Sequence, residues 1–414
     1  MTPEYKIIKN ILDSNKQISD KNQAGQILAQ LLPYSAHWDD CRNDFAGYIF
    51  GQLIWVVVYC YYLQGDFQNA VSIACDGILK MEEDSKYNPN EKSAIYEILG
   101  RCYSQLGDKE KAVSAIEKMP YYDSFQLNTH WPNESFYSFR SVSEYSLADL
   151  RNNTVSLSSV STFNDPVDSS FFPWIDKQLR EKSTDNARRI YLEAMKEAFG
   201  KYRARCFVAA RPVPLDWKEA KAPREYFEDT PPYCNTLMWA HYSNYHKGFC
   251  VEYNIPSDVA GVDVQAKRVV AMRPINYIDN MPYKQELSFE EAFLTKSKRW
   301  EYEHEVRMIY FKQGDNSANP VVFLGDDYEK SIRAVYIGLR CHKEHEAEIF
   351  DIMKAHPSIP VYRMKVSDND IYSLERELIS GNARATALSN VPQKEMCWFC
   401  RFLKKITKAY AHII

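Results

Sequence analysis

The sequence lacks a run that could span a membrane. No uninterrupted apolar stretch reaches the ~18 residues that a transmembrane helix needs. The best one, IWVVVYCYYL at 54–63, is too short and predicts a buried helix. The first residues, MTPEYKIIKNILDSNKQ, lack the apolar core of a signal peptide. The sequence therefore predicts a cytoplasmic protein with no membrane partner.

The sequence also lacks an excess of charge of one sign. Its 51 basic and 55 acidic side chains give a formal net charge of -4, so no global basic field would attract nucleic acid or an anionic membrane. Hydrophobic residues make up 45% and charged residues 26%, a balance typical of soluble globular proteins. A chain of 414 residues is long enough for two or three domains, each with its own core.

A disulfide framework is missing as well. The ten cysteines are scattered without regular spacing, so we expect reduced thiols that act mostly as small core residues. Cys397 and Cys400 form a CxxC pair, which needs two further ligands to hold zinc. Neither Cys341 with His342 nor the two histidines of HYSNYH (241–246) add a spacing typical of a common ligand set. We predict no metal site, and the sequence leaves open whether Cys397 and Cys400 bind a metal.

Residues 1–120 have helical patterns that include a repeat. The segments YCYYLQGDFQNAVSIACDGI (59–78) and GRCYSQLGDKEKAVSAIEKMP (100–120) resemble each other. Each has aromatic residues, then Gly-Asp, then alanines and an apolar stripe at helical spacing. They resemble the tetratricopeptide repeat, a helix-turn-helix unit that stacks on its neighbours. The resemblance implies a helical domain over 1–120 that binds a protein partner or serves as a scaffold.

After a connector at 121–135 the pattern becomes mixed. Helical spacing recurs at 144–153 behind the capping residue Ser143, at 184–202 and at 341–357. The segments that read as strands are FYSFR (136–140), RARCFVAA (203–210), GFCVEYN (248–254), RVVAMRPINYI (268–278), RAVYIGL (333–339) and VYRMKV (361–366). The predicted fold class is thus an α-helical repeat domain followed by a mixed α+β domain over 136–390, with a basic and aromatic tail at 391–414.

The stretch RWEYEHEVRMIYF (299–311) carries carboxylates at every second position. In a strand, Glu301, Glu303, Glu305 and Arg307 would point to one face. That face is either simply solvated, with Arg307 as a structural partner of Glu305, or a cleft in which Glu303 and Glu305 do chemistry together. Two neighbouring carboxylates tend to push one pKa upward, which suits a general base. Glu301 is expected to be solvated.

Three blocks of the second half resemble a bacterial family, domain-of-unknown-function family 2971. They are FYSFRSVSEYSLADLRNNTVSLSSVSTFNDPVD (136–168), LMWAHYSNYHKGFCVEY (237–253) and KSKRWEYEHEVRMIYF (296–311). Their order in turn resembles the ADP-ribosyltransferase superfamily, especially its DNA-modifying bacterial toxin branch. In that superfamily an opening strand grips NAD and a late strand carries the catalytic Glu, often with Glu or Gln two residues earlier. The expected fold of 136–390 is therefore ADP-ribosyltransferase-like.

This resemblance implies NAD as the substrate and assigns roles to the two glutamates. Glu305 would accept hydrogen bonds from the ribose, and Glu303 would orient or deprotonate the acceptor. The turn FNDPVD (163–168) could rim the site. The superfamily's usual His is absent from the opening strand, which leaves Ser138 or Arg140 at the gripping position. The implied NAD-binding residues are Tyr137, Ser138, Arg140, His241, Tyr242, Tyr245 and Lys247.

The implied function is transfer of ADP-ribose to a macromolecular acceptor, either protein or nucleic acid, as in bacterial toxin or phage-defence effectors. The helical repeats would sense or select the partner. Two alternatives stay open at the level of the sequence. Water could replace the acceptor, which makes the protein an NAD glycohydrolase, or both halves could be non-catalytic recognition modules.

Overall fold

A computed structural model provides the coordinates of the protein. Within the described residues no helix is long and apolar enough to cross a membrane. The pair Cys397 and Cys400, the tail at 391–414 and nearly all of the connector lie outside these residues. The described residues are 2–15, 17–43, 48–83, 89–119, 135–165, 167–181, 185–210, 231–263, 268–282, 289–312, 314–315 and 317–381.

The first half consists of helices. A 3₁₀ segment, Leu32–Asn43, joins the second helix to the third. The helices are α1 (Pro3–Ser14), α2 (Lys21–Leu31), α3 (Tyr48–Gln64), α4 (Phe67–Glu82), α5 (Pro89–Gln105) and α6 (Lys109–Ile116).

Two helix-turn-helix hairpins, α3 with α4 and α5 with α6, occupy the positions of the two similar segments. Each turns at a glycine in the left-handed region, with φ 81° at Gly65 and 79° at Gly107. The next residue caps the second helix: Asp66 accepts from the backbone N–H of Asn69 at 3.2 Å, and Asp108 accepts from that of Lys111 at 3.1 Å. The Gly-Asp pairs in the sequence thus mark hairpin turns.

A sheet of ten strands organises the second half, which confirms the mixed α+β class. Its order is β14-β13-β12-β5-β1-β4-β10-β7-β6, with β3 beside β4. Among the described strands of this sheet, only β12 and β13 pair in parallel. Separate ladders join β2 to β11 and β8 to β9. The strands are β1 (Phe136–Arg140), β2 (Thr154–Ser156), β3 (Ser158–Ser159), β4 (Arg203–Ala209), β5 (Phe249–Tyr253), β6 (Gly261–Asp263), β7 (Arg268–Pro274), β8 (Asn276–Ile278), β9 (Thr295–Ser297), β10 (Glu305–Lys312), β11 (Val321–Phe323), β12 (Ile332–Ile337), β13 (Val361–Val366) and β14 (Leu374–Ser380).

Helices flank this sheet. The cap predicted for the helix that begins at Glu144 is present, since the hydroxyl of Ser143 accepts from the backbone N–H of Ser146 at 3.2 Å. The helices are α7 (Glu144–Asn152), α8 (Phe171–Arg180), α9 (Asn186–Phe199), α10 (Thr236–Tyr242), α11 (Phe289–Phe293), α12 (Tyr328–Ser331) and α13 (Lys343–Met353).

The apolar core of the helical half continues into the second half. Helix α9 packs against α5 and α6. Phe293 stacks on Phe171 with ring centroids 5.7 Å apart, and both rings belong to the same buried cluster as the helices of the first half. Ile309 and Phe311 of β10 join that cluster. The strand that carries Glu305 is therefore backed by the core that the helices build.

Gly248 marks a point where two backbones meet closely, just before β5. A Cβ atom there would lie 1.9 Å from the carbonyl oxygen of Arg140 on β1. Because backbone atoms cannot move aside cheaply, we expect Gly248→Ala to lower the free energy of unfolding by roughly 3 kcal/mol, the upper end of ordinary overpacking costs. Urea denaturation measures the change. Gly261→Ala is the matched control, because a Cβ at Gly261 meets no atom within 4 Å; equal unfolding midpoints for the two variants would contradict the expectation.

Candidate active site

The segment with alternating carboxylates differs from its prediction. Strand β10 begins only at Glu305, and Lys298–Glu303 form a 3₁₀ turn that ends at His304, whose φ of 43° is left-handed. The prediction of a strand over 299–304 is therefore wrong. Charged and aromatic residues alternate there although they form a turn, so a period of two does not by itself establish a strand. Glu301 is exposed, as predicted.

Glu303 and Glu305 nevertheless meet in one buried cluster. The ammonium of Lys296 donates to Oε2 of Glu303 at 2.5 Å and to Oε2 of Glu305 at 2.9 Å. The hydroxyl of Tyr242 donates to the other oxygen of Glu303 at 2.5 Å. The two glutamates are only 2% and 3% exposed. The two carboxylates therefore meet across a left-handed turn at His304. They are not neighbours on one face of a continuous strand.

Arg307 closes the cluster from the other side. Its Nε donates to Oε1 of Glu305 at 2.8 Å, its Nη2 to Oδ1 of Asp168 at 3.0 Å, and its Nη1 to the carbonyl of Phe293 at 2.7 Å. Asp168 also lies 3.4 Å from the ammonium of Lys296. Arg307 is therefore a structural partner of Glu305, and three carboxylates face two cations in a site removed from water.

The cluster drives the two glutamates to different protonation states. Burial raises the pKa of Glu303 to about 7; the charge of Glu305 adds to the rise and the ammonium of Lys296 opposes it. Burial also disfavours the ionised form of Glu305, but Arg307 and Lys296 outweigh it and lower its pKa to about 2. At neutral pH, Glu305 is a fixed anion while Glu303 exchanges its proton. Carboxylates whose pKa values are pushed apart are typical of acid–base sites.

A cavity of about 240 Å³ lies against these carboxylates. Its walls combine the aromatic rings of Tyr137, Phe139, Phe163 and Tyr242 with polar groups that include Asn164. Such a mixture of apolar walls and a few convergent polar groups is typical of a small-molecule site. A second cavity of about 230 Å³ shares Lys296 and Asp168 with the first.

The comparisons with known proteins add nothing to this geometry. No family model, curated protein or solved structure matches the chain. The resemblances drawn from the sequence therefore stay predictions.

The opening strand contributes one predicted residue to the cavity. Tyr137 lines it. Ser138 and Arg140 lie on the opposite face of β1, because side chains alternate along a strand. There the guanidinium of Arg140 donates to Asp149 at 2.5 Å and to Ser156 at 3.0 Å. The structure thus separates Ser138 and Arg140 from the glutamates, and the expectation that they grip a ligand beside Glu305 needs correction.

The middle block divides in a similar way. Tyr242, at the end of α10, lines the cavity, whereas His241, Tyr245 and Lys247 are not among its lining residues. His241 is exposed, with its ring centroid 6.0 Å from that of Trp300, and Tyr245 is 68% exposed. The sequence pattern did not predict the helix α10 in this block. Without that helix, the inward direction of Tyr242 and the outward direction of His241 could not be predicted.

Two charged residues of the cluster were not recognised from the sequence. Lys296 lies two residues after the apolar run AFL (292–294), and a lysine so close to such a run was the available signal. Asp168 ends the turn FNDPVD, which was predicted to rim the site, and both Asn164 and Asp168 line the cavity. Within the described residues, no group of three or more His, Cys, Asp or Glu side chains is arranged to hold a metal ion.

Proposed function

We propose that the second half of the chain is an ADP-ribosyltransferase-like enzyme that breaks the nicotinamide–ribose bond of NAD and transfers ADP-ribose to a macromolecular acceptor. One observation carries the proposal: Glu303 and Glu305 share a cavity wall but have opposite pKa shifts. Glu305 can act as a permanent anion and Glu303 as a base near neutral pH.

The reaction uses the two carboxylates in sequence. The bond between ribose C1′ and the nicotinamide nitrogen breaks, and its electron pair leaves with nicotinamide, which becomes neutral. Positive charge then develops on the ribose, where the fixed anion Glu305 stabilises it. A lone pair of the acceptor forms the new bond to C1′, and the carboxylate of Glu303 takes the proton that the acceptor loses. Water in place of the acceptor gives NAD hydrolysis by the same steps.

The walls of the cavity fit the reacting half of NAD. The rings of Tyr242 and Phe163 offer faces on which a planar nicotinamide can stack. A volume of about 240 Å³ suits a nicotinamide and its ribose rather than a whole dinucleotide, so the adenosine half would extend outside it. The helical hairpins of the first half would then sense or select the protein partner.

A second, non-catalytic function is favoured by the contacts of Arg307. Its guanidinium is fully buried and binds Glu305 directly. In some proteins a buried ion cluster has no catalytic role and serves to specify the fold. In that case both halves would bind partners without chemistry. The two functions differ in whether the cavity binds NAD.

Incubation of the purified protein with NAD, followed by chromatographic measurement of free nicotinamide, tests the enzyme. We expect Glu305→Gln to lower nicotinamide release by about 10²- to 10³-fold, because a fixed charge at the reacting centre is removed. Glu301→Gln is the matched control, since Glu301 is exposed on the adjoining turn. Wild-type protein that neither binds NAD nor releases nicotinamide, or a folded Glu305→Gln variant with the wild-type rate, would overturn the proposal.

A further inference from the structure

Lys296 lies at the centre of the cluster. We propose that Lys296 is the positioning residue of the site: its ammonium holds the two glutamate carboxylates against each other and keeps Glu303 available as a base at neutral pH. The catalytic consequence rests on the proposed function. The effect of Lys296 on the charge state of Glu303 follows from its contacts with the two glutamates and does not depend on that function.

The contacts of the ammonium point to this role. It lies 2.5 Å from Glu303 and 2.9 Å from Glu305, and it touches the oxygen of each that Tyr242 and Arg307 leave to it. Three carboxylates therefore surround one ammonium, which has three N–H groups to donate. The side chain of Lys296 is only 4% exposed, so water does not screen these contacts.

A separate strand pair fixes Lys296 in place. Lys296 lies on β9, directly opposite Tyr277 in the parallel ladder with β8. The hydroxyl of Tyr277 accepts a hydrogen bond from the backbone N–H of Glu305 at 2.9 Å. The two residues that face each other in this ladder therefore hold both the backbone and the carboxylate of Glu305. This arrangement ties the strand that carries Lys296 to the first residue of β10 and places the ammonium between the glutamates.

The charges around Glu303 show what the ammonium does electrostatically. Arg307 directs its guanidinium to Glu305, Asp168 and the carbonyl of Phe293 rather than to Glu303. Among the described residues, Lys296 is thus the cation in contact with Glu303. The titratable or charged groups that act on Glu303 are Lys296 on β9, Tyr242 on α10, Glu305 on β10, Tyr277 on β8 and Tyr302 in the same turn. Arg307 and Asp168 lie one contact further away, Arg307 on Glu305 and Asp168 on Lys296.

Loss of the ammonium would leave Glu303 beside the negative charge of Glu305 without a cation. The protonated form of Glu303 would then be favoured further, and its base form would become scarce at pH 7. Lys296 also lines both cavities, so its side chain is part of the wall between them. A neutral residue of the same length tests the charge with little change in that wall.

The test compares Lys296→Met with Lys296→Arg by NMR titration of the ¹³C-labelled glutamate carboxyls, with Glu303→Gln used to assign the signal. In Lys296→Met we expect the midpoint of Glu303 to rise enough to reduce its ionised fraction at pH 7 by about tenfold. Lys296→Arg keeps the charge and should stay near the wild-type midpoint. An unchanged midpoint in Lys296→Met would overturn the proposal. Lys298→Met is the matched control, because it removes a lysine charge at an exposed position two residues away.

A second measurement uses the wild-type chain, so it does not depend on whether a Lys296 variant folds. In the wild-type chain the ¹⁵N signal of the Lys296 ammonium should shift with the same midpoint as the carboxyl of Glu303, because the two groups share a hydrogen bond. Independent midpoints would overturn the proposal. If nicotinamide release is measurable, Lys296→Met should lower kcat at pH 7 by about tenfold, should recover activity at higher pH and should leave KM nearly unchanged. Both titrations report on Lys296 even if the protein does not act on NAD.

Discussion

Glu303→Gln is expected to lower nicotinamide release by about 10²- to 10⁴-fold, the usual contribution of a positioned base. Glutamine keeps the size of the side chain and an oxygen that can accept from the hydroxyl of Tyr242. It cannot take a proton from the acceptor. The loss should therefore appear in kcat, whereas binding of NAD, measured by calorimetry, should change little.

The pH dependence of nicotinamide release by the wild-type protein is an independent test of the role proposed for Glu303. Glu303 must lose its proton to act as a base, and its pKa is about 7. The rate should therefore rise about tenfold per pH unit below this value and level off above it. A general acid would show the opposite slope. In Glu303→Gln the rising limb should disappear, while Glu301→Gln should keep it; a limb that persists in Glu303→Gln would assign the titration to another group.

Arg307→Met is expected to lower the free energy of unfolding by about 3–5 kcal/mol, because it leaves the buried carboxylates of Glu303, Glu305 and Asp168 with Lys296 as the one cation that contacts them among the described residues. Methionine fills much of the space but supplies no donor. Urea denaturation of the two proteins at neutral pH measures the difference. Arg299→Met, at an exposed position of the adjoining turn, should change the stability by no more than about 0.5 kcal/mol.

Two further comparisons show whether charge is the cause. Removal of Glu305 as well, in Arg307→Met with Glu305→Gln, should recover part of the lost stability because one of the three buried negative charges around Lys296 is gone. The pKa of Glu305 is lowered to about 2, so its ionised form stabilises the wild-type fold above the ordinary value of 4.5, and this stabilisation is lost as the pH falls toward 2. The deficit of Arg307→Met should shrink over that range. A deficit that is constant from pH 7 to pH 3 would indicate lost packing instead.

The elements with strong periodicity were predictable from the sequence. β4, β5, β12 and β13 fall within two residues of their predicted bounds, because a short run rich in apolar and β-branched residues is a local property of the chain. The Gly-Asp turns were visible for the same reason. The stretch before Glu305 was not predictable, since a period of two describes spacing and does not show whether a neighbouring strand is present to pair with it.

The site was predictable only in part. The sequence placed Glu303 beside Glu305 on a strand, whereas in the structure they meet across a left-handed turn. It offered Arg307 as a partner of Glu305 in one of its two interpretations, because the two lie two residues apart. Asp168 lies 139 residues before Arg307, and the fold that brings the two together depends on long-range pairing that no local pattern encodes. Lys296 is only seven residues from Glu303, but its position depends on the ladder between β8 and β9, which the sequence pattern did not predict. The separation of Arg140 from the cavity was not predictable for the same reason. Alternation along a strand defines two faces, but it does not show which face lies toward the glutamates.

The continuous core behind β10 bears on the modularity of this protein. Ile309 and Phe311 lie on the strand that begins with Glu305, and they pack in one cluster with the helices of the first half. The ring of Phe311 stacks on that of Tyr202, just after α9, with centroids 5.0 Å apart, and α9 packs on the second hairpin. The helices are thus part of the support of the strand that carries Glu305. Exchange of the helical half for another domain would have to preserve this apolar contact surface, which restricts the domains that recombination could attach to the second half.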